Sequence, residues 1–465
     1  MPSTFFGFEI ARRGLISSQI AQNIISHNIV NANTPGYTKQ RTEISTTLPF
    51  PYPTHNREII IGQIGTGVAI DYITGIRDKI LEARIKEVIS DEQYYNLLFE
   101  KTDEIQSIIN EPGDINLNQA INSFFNAFND IGSNPENLSI RQNLINITQG
   151  IVKEFKFLKE KVNKMSEDAN KFLKNTVLII NNLAENIKDI NLEIFRAINL
   201  GYNPNDLIDK RNNYLNELAK FTNYQITELN NGIIKVEING HILVGENYVI
   251  KLDTAIVAGT NNLKPIFTDG QDLISASGQI KSIIDFRDNY LNDYYNRLNE
   301  IAISLINEVN NLHLSGYGLN QGSPSGLNYF IGTGIDDIDI NPQIINDITL
   351  IAAAKNPFSP GDGSNALDIS NLKYKRILQG NALTINEAYQ AFVSKIGADT
   401  HFADNNLYIY KTINNNLYQK RESLSGISLD EEMTELIKFQ HAYSANLKVM
   451  KVQDEIIENL INIIK

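Results

Sequence analysis

The chain has 465 residues, a formal net charge of −13, 42% hydrophobic residues and 20% charged residues. That composition is globular, and the length calls for two to four domains. The acidic balance argues against a nucleic-acid partner, because phosphate binding needs a basic surface. No run of 18 apolar residues occurs, so membrane insertion is not expected. The opening MPSTFFGFEIARRGLISSQ has no charged region followed by an apolar one, so a cleaved secretory signal is not expected. There is no cysteine. Two readings stay open: a cytosolic protein without thiols, or an exported protein whose route bypasses disulfide chemistry. The abundant, scattered Asn residues read as coding bias rather than chemistry.

Residues 5 to about 32 predict a helix. Phe8, Ala11, Leu15, Ser18, Gln22, Ile25, Ile29 and Ala32 step by three and four, a heptad seam weakened by Ser18 and Gln22. Asn33-Thr34-Pro35-Gly36 stops it, since the residue before proline avoids helix and glycine supplies a turn. From Thr38 to Ile76 the chain reads as short strands and loops punctuated by Pro49, Pro51 and Pro53, with Ile59 to Ile61 and Val68 to Tyr72 strand-like. A helix is predicted over Asp78 to Asn110, with Leu81, Ile85, Val88, Glu92, Tyr95, Phe99 and Thr102 on one stripe. Glu111-Pro112-Gly113-Asp114 ends it. Short helices follow over Leu117 to Ile131 and Leu138 to Thr148.

The clearest periodicity is Phe155, Leu158, Val162, Met165, Ala169, Phe172, Thr176, Ile179, Leu183, Ile187 and Ile190. It predicts a helix of about 50 residues, about 75 Å long, and hence an elongated bundle. A helix over Asp206 to Phe221 comes next. Residues 224–275 alternate (Ile234, Val236, Ile238) around Asn231-Gly232 and Asn239-Gly240 turns, which predicts a small β-domain. Helix returns over Gly278 to Leu312, with Leu291, Tyr294, Leu298, Ile301, Leu305, Val309 and Leu312 in register. Residues 313–375 read as loop-dominated. A helix from Ile385 to Tyr410 runs on toward Glu422. The last helix starts at a capping box, Ser428 with Glu431, and carries acidic residues where its dipole favours them. Its stripe is Met433, Leu436, Gln440, Tyr443, Leu447, Met450, Asp454, Ile457, Ile461 and Ile464. Both ends of the chain are thus heptad helices with imperfect seams, suited to pairing with each other or with copies of themselves.

No chemistry-bearing motif emerges. His27, His55, His241, His313, His401 and His441 lack a second His or Cys at metal-ligand spacing. Gly62, Gly65 and Gly67 precede strand and lack a Lys-Ser or Lys-Thr pair, so they read as a β-turn region rather than a phosphate loop. Asp336, Asp337 and Asp339 lack the ligand spacing, central glycine and terminal glutamate of a calcium loop and read as a solvated acidic loop. Catalytic, cofactor and metal residues are therefore all read as none.

Asn28-Ile29-Val30-Asn31-Ala32-Asn33-Thr34-Pro35-Gly36-Tyr37-Thr38-Lys39-Gln40 resembles the N-terminal signature of flagellar rod, hook and hook-associated proteins. Glu422 to Met433 followed by Leu436-Ile437-Lys438-Phe439-Gln440-His441-Ala442-Tyr443 resembles one branch, the hook-associated protein 1 family. Asp206 to Leu218, Gly278 to Arg287 with Val309, Asn310 and His313, and Glu387-Ala388-Tyr389 with Ile396-Gly397 are similar to the same branch, in order from end to end. The chain has Phe128 where that family often has tryptophan, and its β-rich portion is short for the family.

The resemblance implies a structural protein, not an enzyme, that forms a ring at the hook tip and joins hook to filament. The alternative is a hook or distal rod protein, whose body would be β-rich. It implies export by the flagellar type III apparatus to an extracellular flagellum. The implied partners are copies of itself, the hook protein, a second junction protein on the filament side and an export chaperone on the C-terminal helix. The implied assembly residues are Asn28, Asn31, Asn33, Thr34, Pro35, Gly36 and Tyr37, with Met433, Leu436, Gln440, Tyr443, Leu447, Met450, Ile457, Ile461 and Ile464 as assembly and chaperone face. The fold class is mainly α with a small inserted β-domain. Residues 1–77 and 422–465 are expected to form an inner terminal-helix domain. Residues 78–223, 276–312 and 376–421 are expected to form a helical bundle, and 224–275 and 313–375 an outer β- and loop-rich region.

Overall fold

The computed structural model describes residues 5–50, 63–110, 117–319 and 325–464. Pro51, Pro53, His55, the strand-like Ile59 to Ile61, Gly62 and the stop at Glu111 to Asp114 lie outside the described residues. Helix α1 (Phe6–Val30) leads into an antiparallel pair, β1 (Gln40–Thr46) and β2 (Val68–Gly75). Helices α2 (Lys79–Asn110) and α3 (Leu117–Ser133) follow.

Helix α4 (Leu138–Asn199) is the spine of the molecule. It has 62 residues and is about 90 Å long at the usual rise per residue. The short helix predicted over Leu138 to Thr148 is its first three turns. Gly150, which looks like a break in the sequence, has open space around it, and the helix runs through. Asn137 caps the start by accepting from the Ser139 amide at 2.9 Å. The predicted core row holds from Phe155 to Ala169, then moves by one residue at Leu173, Val177, Ile180 and Ala184, with Thr176 still buried, and is regained at Ile187 and Ile190. A straight helix repeats every 3.6 residues, so a strict 3.5 pattern drifts about 20° per heptad off the buried face.

Helix α5 (Asn205–Phe221) precedes two small antiparallel sheets. One holds β3 (Gln225–Glu228), β4 (Ile234–Ile238) and β5 (His241–Val244); the other holds β6 (Leu252–Ile256) and β7 (Leu263–Phe267). The Asn231-Gly232 and Asn239-Gly240 turns have positive φ at both residues, as a tight turn of that hand requires. These strands lie along the C-terminal half of α4, and asparagines fasten them there. The Asn181 side chain donates to the Leu252 carbonyl (2.9 Å) and accepts from the Leu252 amide (2.7 Å). Asn170 accepts from the Leu263 amide at 3.0 Å, and Asn191 donates to the Ile234 carbonyl at 2.8 Å. Asn310 does the same for both backbone groups of Phe330, each at 2.9 Å. Coding bias therefore does not account for these residues. A carboxamide presents one donor side and one acceptor side and satisfies a strand edge as another strand would.

The predicted Gly278 to Leu312 helix is interrupted. Helix α6 (Gly278–Asp285) is joined to α7 (Leu291–Ser315) by a π-helical turn, Phe286–Tyr290. The wider turn places Arg287 against Asp288, Asn170 and the Leu263 carbonyl, which ties the helix to α4 and the β6–β7 hairpin. Gly278 has φ of +85°, and a side chain there would strike the Phe221 carbonyl, so only glycine fits this crossing.

The described part of residues 313–375 contains little regular structure: β8 (Phe330–Ile331), β9 (Asp339–Ile340), α8 (Pro342–Asn346) and α9 (Ser364–Asn371). Yet Tyr329, Phe330, Ile335, Ile338, Ile340, Ile344 and Ile351 are fully buried. The segment packs along the N-terminal half of α4, against α3 and α7. Phe128 of α3 is fully buried with its ring edge-on to Phe124 and Tyr329. The acidic stretch is exposed but not merely solvated. Asp336 and Asp339 pair with Lys159 (3.0 Å) and Lys156 (2.8 Å) of α4, and Asp337 accepts from the Thr333 and Gly334 amides. Among the described residues no acidic, histidine or cysteine group is arranged to hold a metal ion, and no helix is long and apolar enough to cross a membrane.

Helix α10 (Ile385–Ser425) packs antiparallel along α2, with Tyr410 stacked on Tyr95 and Asn414 donating to Glu92. Thr384 and Glu387 form a capping box at its start. Helix α11 (Leu429–Ile464) closes the chain and lies antiparallel on α1. The fold is therefore mainly α with small inserted sheets, as the periodicity predicts.

His313 at the end of α7 is fully buried. Its Nδ1 meets the Leu327 carbonyl at 2.7 Å, and its Nε2 accepts from the Ala352 amide at 3.0 Å. That geometry requires the neutral ring. Burial, against the Leu327 bond, and the nearby Arg141 charge hold it at about 4, below the ordinary 6.5. The unfolded chain takes up this proton as pH falls through 6.5, while the folded chain resists until about 4. Stability present above pH 6.5 is thus lost across that window, by about 3 kcal/mol for this group alone. Urea denaturation at pH 7.5 and 5.0 should show about 2 kcal/mol of this loss. His313→Gln should be less stable at pH 7.5 but should show a flatter pH dependence.

Candidate functional site

The two terminal helices meet in a fixed antiparallel register. Gly7 faces Gln453, Gly14 faces Asn446, Gln22 donates to the Phe439 carbonyl at 3.0 Å, and Asn28 donates to Glu432 at 3.0 Å. The α1 face is Gly7, Ala11, Gly14, Ser18, Ala21, Ile25 and Asn28. The α11 face is Glu432, Leu436, Phe439, Tyr443, Asn446, Met450, Gln453 and Ile457; each of these fifteen residues is buried or half-buried. Each face has two rows at heptad spacing, and the sequence reading locates one row on each: Ala11, Ser18 and Ile25, and Leu436, Tyr443, Met450 and Ile457. The other row is displaced by one residue on both helices. Met433, Gln440, Leu447 and Ile461 are exposed, and the side chain of Ile464 lies outside the described residues. A row chosen for apolarity passes over Gly7, Gly14 and Ala21, although small residues are what let two helix backbones approach. Their polar opposites Asn446 and Gln453 are passed over likewise.

The base of this pair is a polar junction. The Asn28 side chain is 1% exposed and uses every bond it has. Its amide donates to the Gln40 carbonyl (2.9 Å) and to Glu432. Its carbonyl accepts from the Gln40 amide (3.0 Å) and the Tyr37 hydroxyl (2.9 Å). Tyr37 also lies 3.0 Å from His27 Nδ1. Burial and the charges of Asp206 and Glu432 push its phenol well above the ordinary range, so it stays a donor. Lys39 pairs with Glu432 at 2.8 Å and lies 3.6 Å from Glu431. Burial works against its charge, but the bond to Glu432 outweighs that and leaves the ammonium raised. Ser428 meets the Glu431 amide at 3.5 Å, so the predicted cap is present in its first half while the Glu431 carboxylate turns toward Lys39.

The junction reaches the body through α5. The Thr38 amide donates to Asp209 at 2.9 Å, and Gln40 donates to Asp206 at 2.7 Å. Arg77 pairs with Asp209 and donates to the Thr38 hydroxyl. Asn213 donates to the Pro35 carbonyl at 3.3 Å. Gly36 sits over Asn213 with φ of +79°, where a side chain would collide with the Asn213 carboxamide. Within the turn, Asn31 donates to the His27 carbonyl (3.0 Å) and accepts from the Thr34 hydroxyl (3.1 Å). The structure thus brings Asn28, Asn31, Gly36 and Tyr37 together, whereas Asn33, Thr34 and Pro35 are exposed.

Sequence reasoning missed the partners Asp206, Asp209, Asn213, Gln40, Arg77 and Glu432. The usable signal was the spacing of Asp206, Asp209 and Asn213 by three and four, which puts three polar side chains on one face of α5.

Residues 8–38 match the family model for flagella basal body rod proteins, and residues 418–463 match that for the C-terminal region of the basal body rod FlgEFG proteins. Residues 102–330 match the model for the helical domain of flagellar hook-associated protein FlgK. Flagellar hook-associated protein 1 of Bacillus subtilis is 26% identical, with 99% of each chain covered. That of Salmonella typhimurium is 23% identical, covering 97% of this chain and 99% of its own. The fold is that of the flagellar hook junction protein FlgK from Burkholderia pseudomallei, with a TM-score of 0.66 at 13% identity, over 74% of this chain and 100% of that one. The chain belongs to the flagellar hook-associated protein 1 family, and it is a structural component of the bacterial flagellum.

Asn28→Leu should strand the hydrogen-bonding groups of Gln40 and remove one partner from Glu432. The expected cost is about 2–3 kcal/mol, read as a lower unfolding midpoint and as faster proteolytic trimming of both chain ends than of the body. Gly36→Val should reduce assembled filaments per cell more than it lowers the melting temperature of the purified body. An unchanged filament count would refute the importance given to this turn.

Proposed function

We propose that this chain forms the ring at the tip of the hook that joins hook to filament. The observation that carries the reading is the number of large apolar side chains left uncovered on α11. Leu429, Met433, Ile437, Leu447, Val449, Val452, Ile456 and Ile461 are all 43% exposed or more. So many exposed apolar side chains are a liability in a free monomer and an asset in a ring, where neighbouring copies cover them. Charge supports pairing of the two ends: residues 1–41 carry a net of +3 and residues 422–465 a net of −4. The full-length likeness to proteins named flagellar hook-associated protein 1 supports the junction role over a hook or distal rod protein, because the helical body is the part that matches.

In this reading residues 1–77 and 422–465 form the inner layer. Residues 78–223, 276–312 and 376–421 form the bundle around it, and 224–275 and 313–375 form its outer parts. The chain leaves the cell through the flagellar type III apparatus, and a small export chaperone covers α11 beforehand. Hook protein lies on one side of the ring and a second junction protein on the other. The chain acts by assembly rather than by catalysis.

Deleting the gene should leave hooks without filaments and shed filament protein into the medium; filaments of normal number would overturn the reading. Two substitutions on α11 separate its faces. Leu447→Asp, outside the α1 contact, should leave the melting temperature near wild type, whereas Ile457→Asp should also loosen the pair. Each should weaken chaperone binding and ring assembly by about 2 kcal/mol or more, because a buried unpaired charge is costly. Calorimetric titration of the chaperone and filament counts check both. Wild-type chaperone affinity in both variants would show that this stripe is not the chaperone's face.

A further inference from the structure

A cleft of about 640 Å³ opens between the start of α2, one face of α5, and β3 with β4. Four cations line it: Arg77, Lys79, Lys86 and Arg211. Three have a carboxylate partner. Arg77 pairs with Asp209, Lys79 with Glu228 at 2.6 Å, and Lys86 with Glu82 at 3.5 Å. Arg211 is 7% exposed and has no carboxylate in ion-pair contact among the described residues. Its Nη1 donates to two neutral acceptors, Asn191 Oδ1 (3.0 Å) and the Gly232 carbonyl (2.6 Å). Its Nε has no hydrogen-bond partner. Burial lowers this guanidinium to about 10.

Arg141 supplies the contrast. It is as deeply buried, but its Nε donates to the Pro135 carbonyl and its Nη1 to those of Ile348 and Ile351. It does not line the cleft and reads as a structural staple. Arg211 instead holds a desolvated, under-bonded positive charge beside open volume, a state that an anion relieves. The lining is otherwise partly apolar: Ile208 and Leu215 flank Arg211 on the same face of α5, and Ile226 and Ile234 come from β3 and β4.

We propose that this cleft binds a carboxylate group, with Arg211 as its anchor and Lys86 as its second cation. The charge left over after the three pairs is a single positive one, which matches a carboxylate better than a doubly charged phosphate. The apolar part of the lining suits a carboxylate carried on a short alkyl stem. Such a group is either a free small acid or an Asp or Glu side chain of another protein.

Thermal melts of the full chain at pH 7.5 and constant ionic strength test this, with sodium chloride replaced stepwise by sodium acetate, sodium phosphate or the side-chain mimic N-acetyl-glutamate N-methylamide. Acetate or the mimic should give a saturable rise in melting temperature, and phosphate a smaller one. Arg211→Gln and Lys86→Met should each weaken the response at least ten-fold. Lys86→Met decides the matter if Arg211→Gln does not fold. Tighter binding of the mimic assigns the site to a protein side chain, and tighter binding of acetate assigns it to a free acid. No saturable rise with either, or a wild-type response in a folded variant, overturns the proposal. The test needs no assembled flagellum, so its failure is separate from failure of the hook-junction reading.

Discussion

One carboxamide holds together parts of the chain that are hundreds of residues apart. Asn28 is bonded to β1 on one side and to Glu432 of α11 on the other, a separation of about 400 residues along the chain. A buried amide left half-satisfied costs more than it contributes when complete. The two ends therefore pair in one register, because only that register puts Glu432 beside Asn28 and Lys39. The rest of the pair is small or polar at many contact positions and would hold its register weakly without this base. The turn, Tyr37 and the face of α5 are all arranged around that amide.

The body follows a different rule. Its order comes from α4, on which a β-rich segment and a segment with little regular structure are laid end to end. Arg141, Thr148, Lys156 and Lys159 hold the segment with little regular structure, and Asn170, Asn181 and Asn191 hold the β-rich one. Packing explains why the described part of residues 313–354 needs so few strands or helices. Their isoleucines and aromatic rings enter a core already built by α3, α4 and α7, and backbone polarity is met by side chains such as His313 and Asn310.

Most of the fold was legible in the sequence because long helices advertise their period. The order and type of the long helices follow from apolar spacing, Gly-Pro stops and the Asn-Gly turns, whereas α8 and α9 fall in a stretch that reads as loop-dominated. What failed did so for identifiable reasons. Apolarity mis-set one row of the terminal pair, since Gly7, Gly14, Asn446 and Gln453 carry no hydrophobic signal. The 3.5-residue template drifted along α4. The π turn at Phe286 left no trace in the periodicity because it changes phase by one residue only. The junction was half legible: Asn28 to Tyr37 stood out as a motif, but the spacing of Asp206 and Asp209 shows only that they share a helix face, not what they bond.

The junction and the exposed apolar side chains of α11 differ in mechanical character. Hydrogen bonds are directional and give way abruptly when bent, so the angle between the terminal pair and the body is stiff. Apolar contact between helices is nearly isotropic and tolerates sliding by a fraction of a turn. In a tube built from such chains, curvature and twist would be taken up at the seams between subunits while each subunit keeps its shape. A coupling of that kind can bend in every direction in turn without any of its parts being deformed.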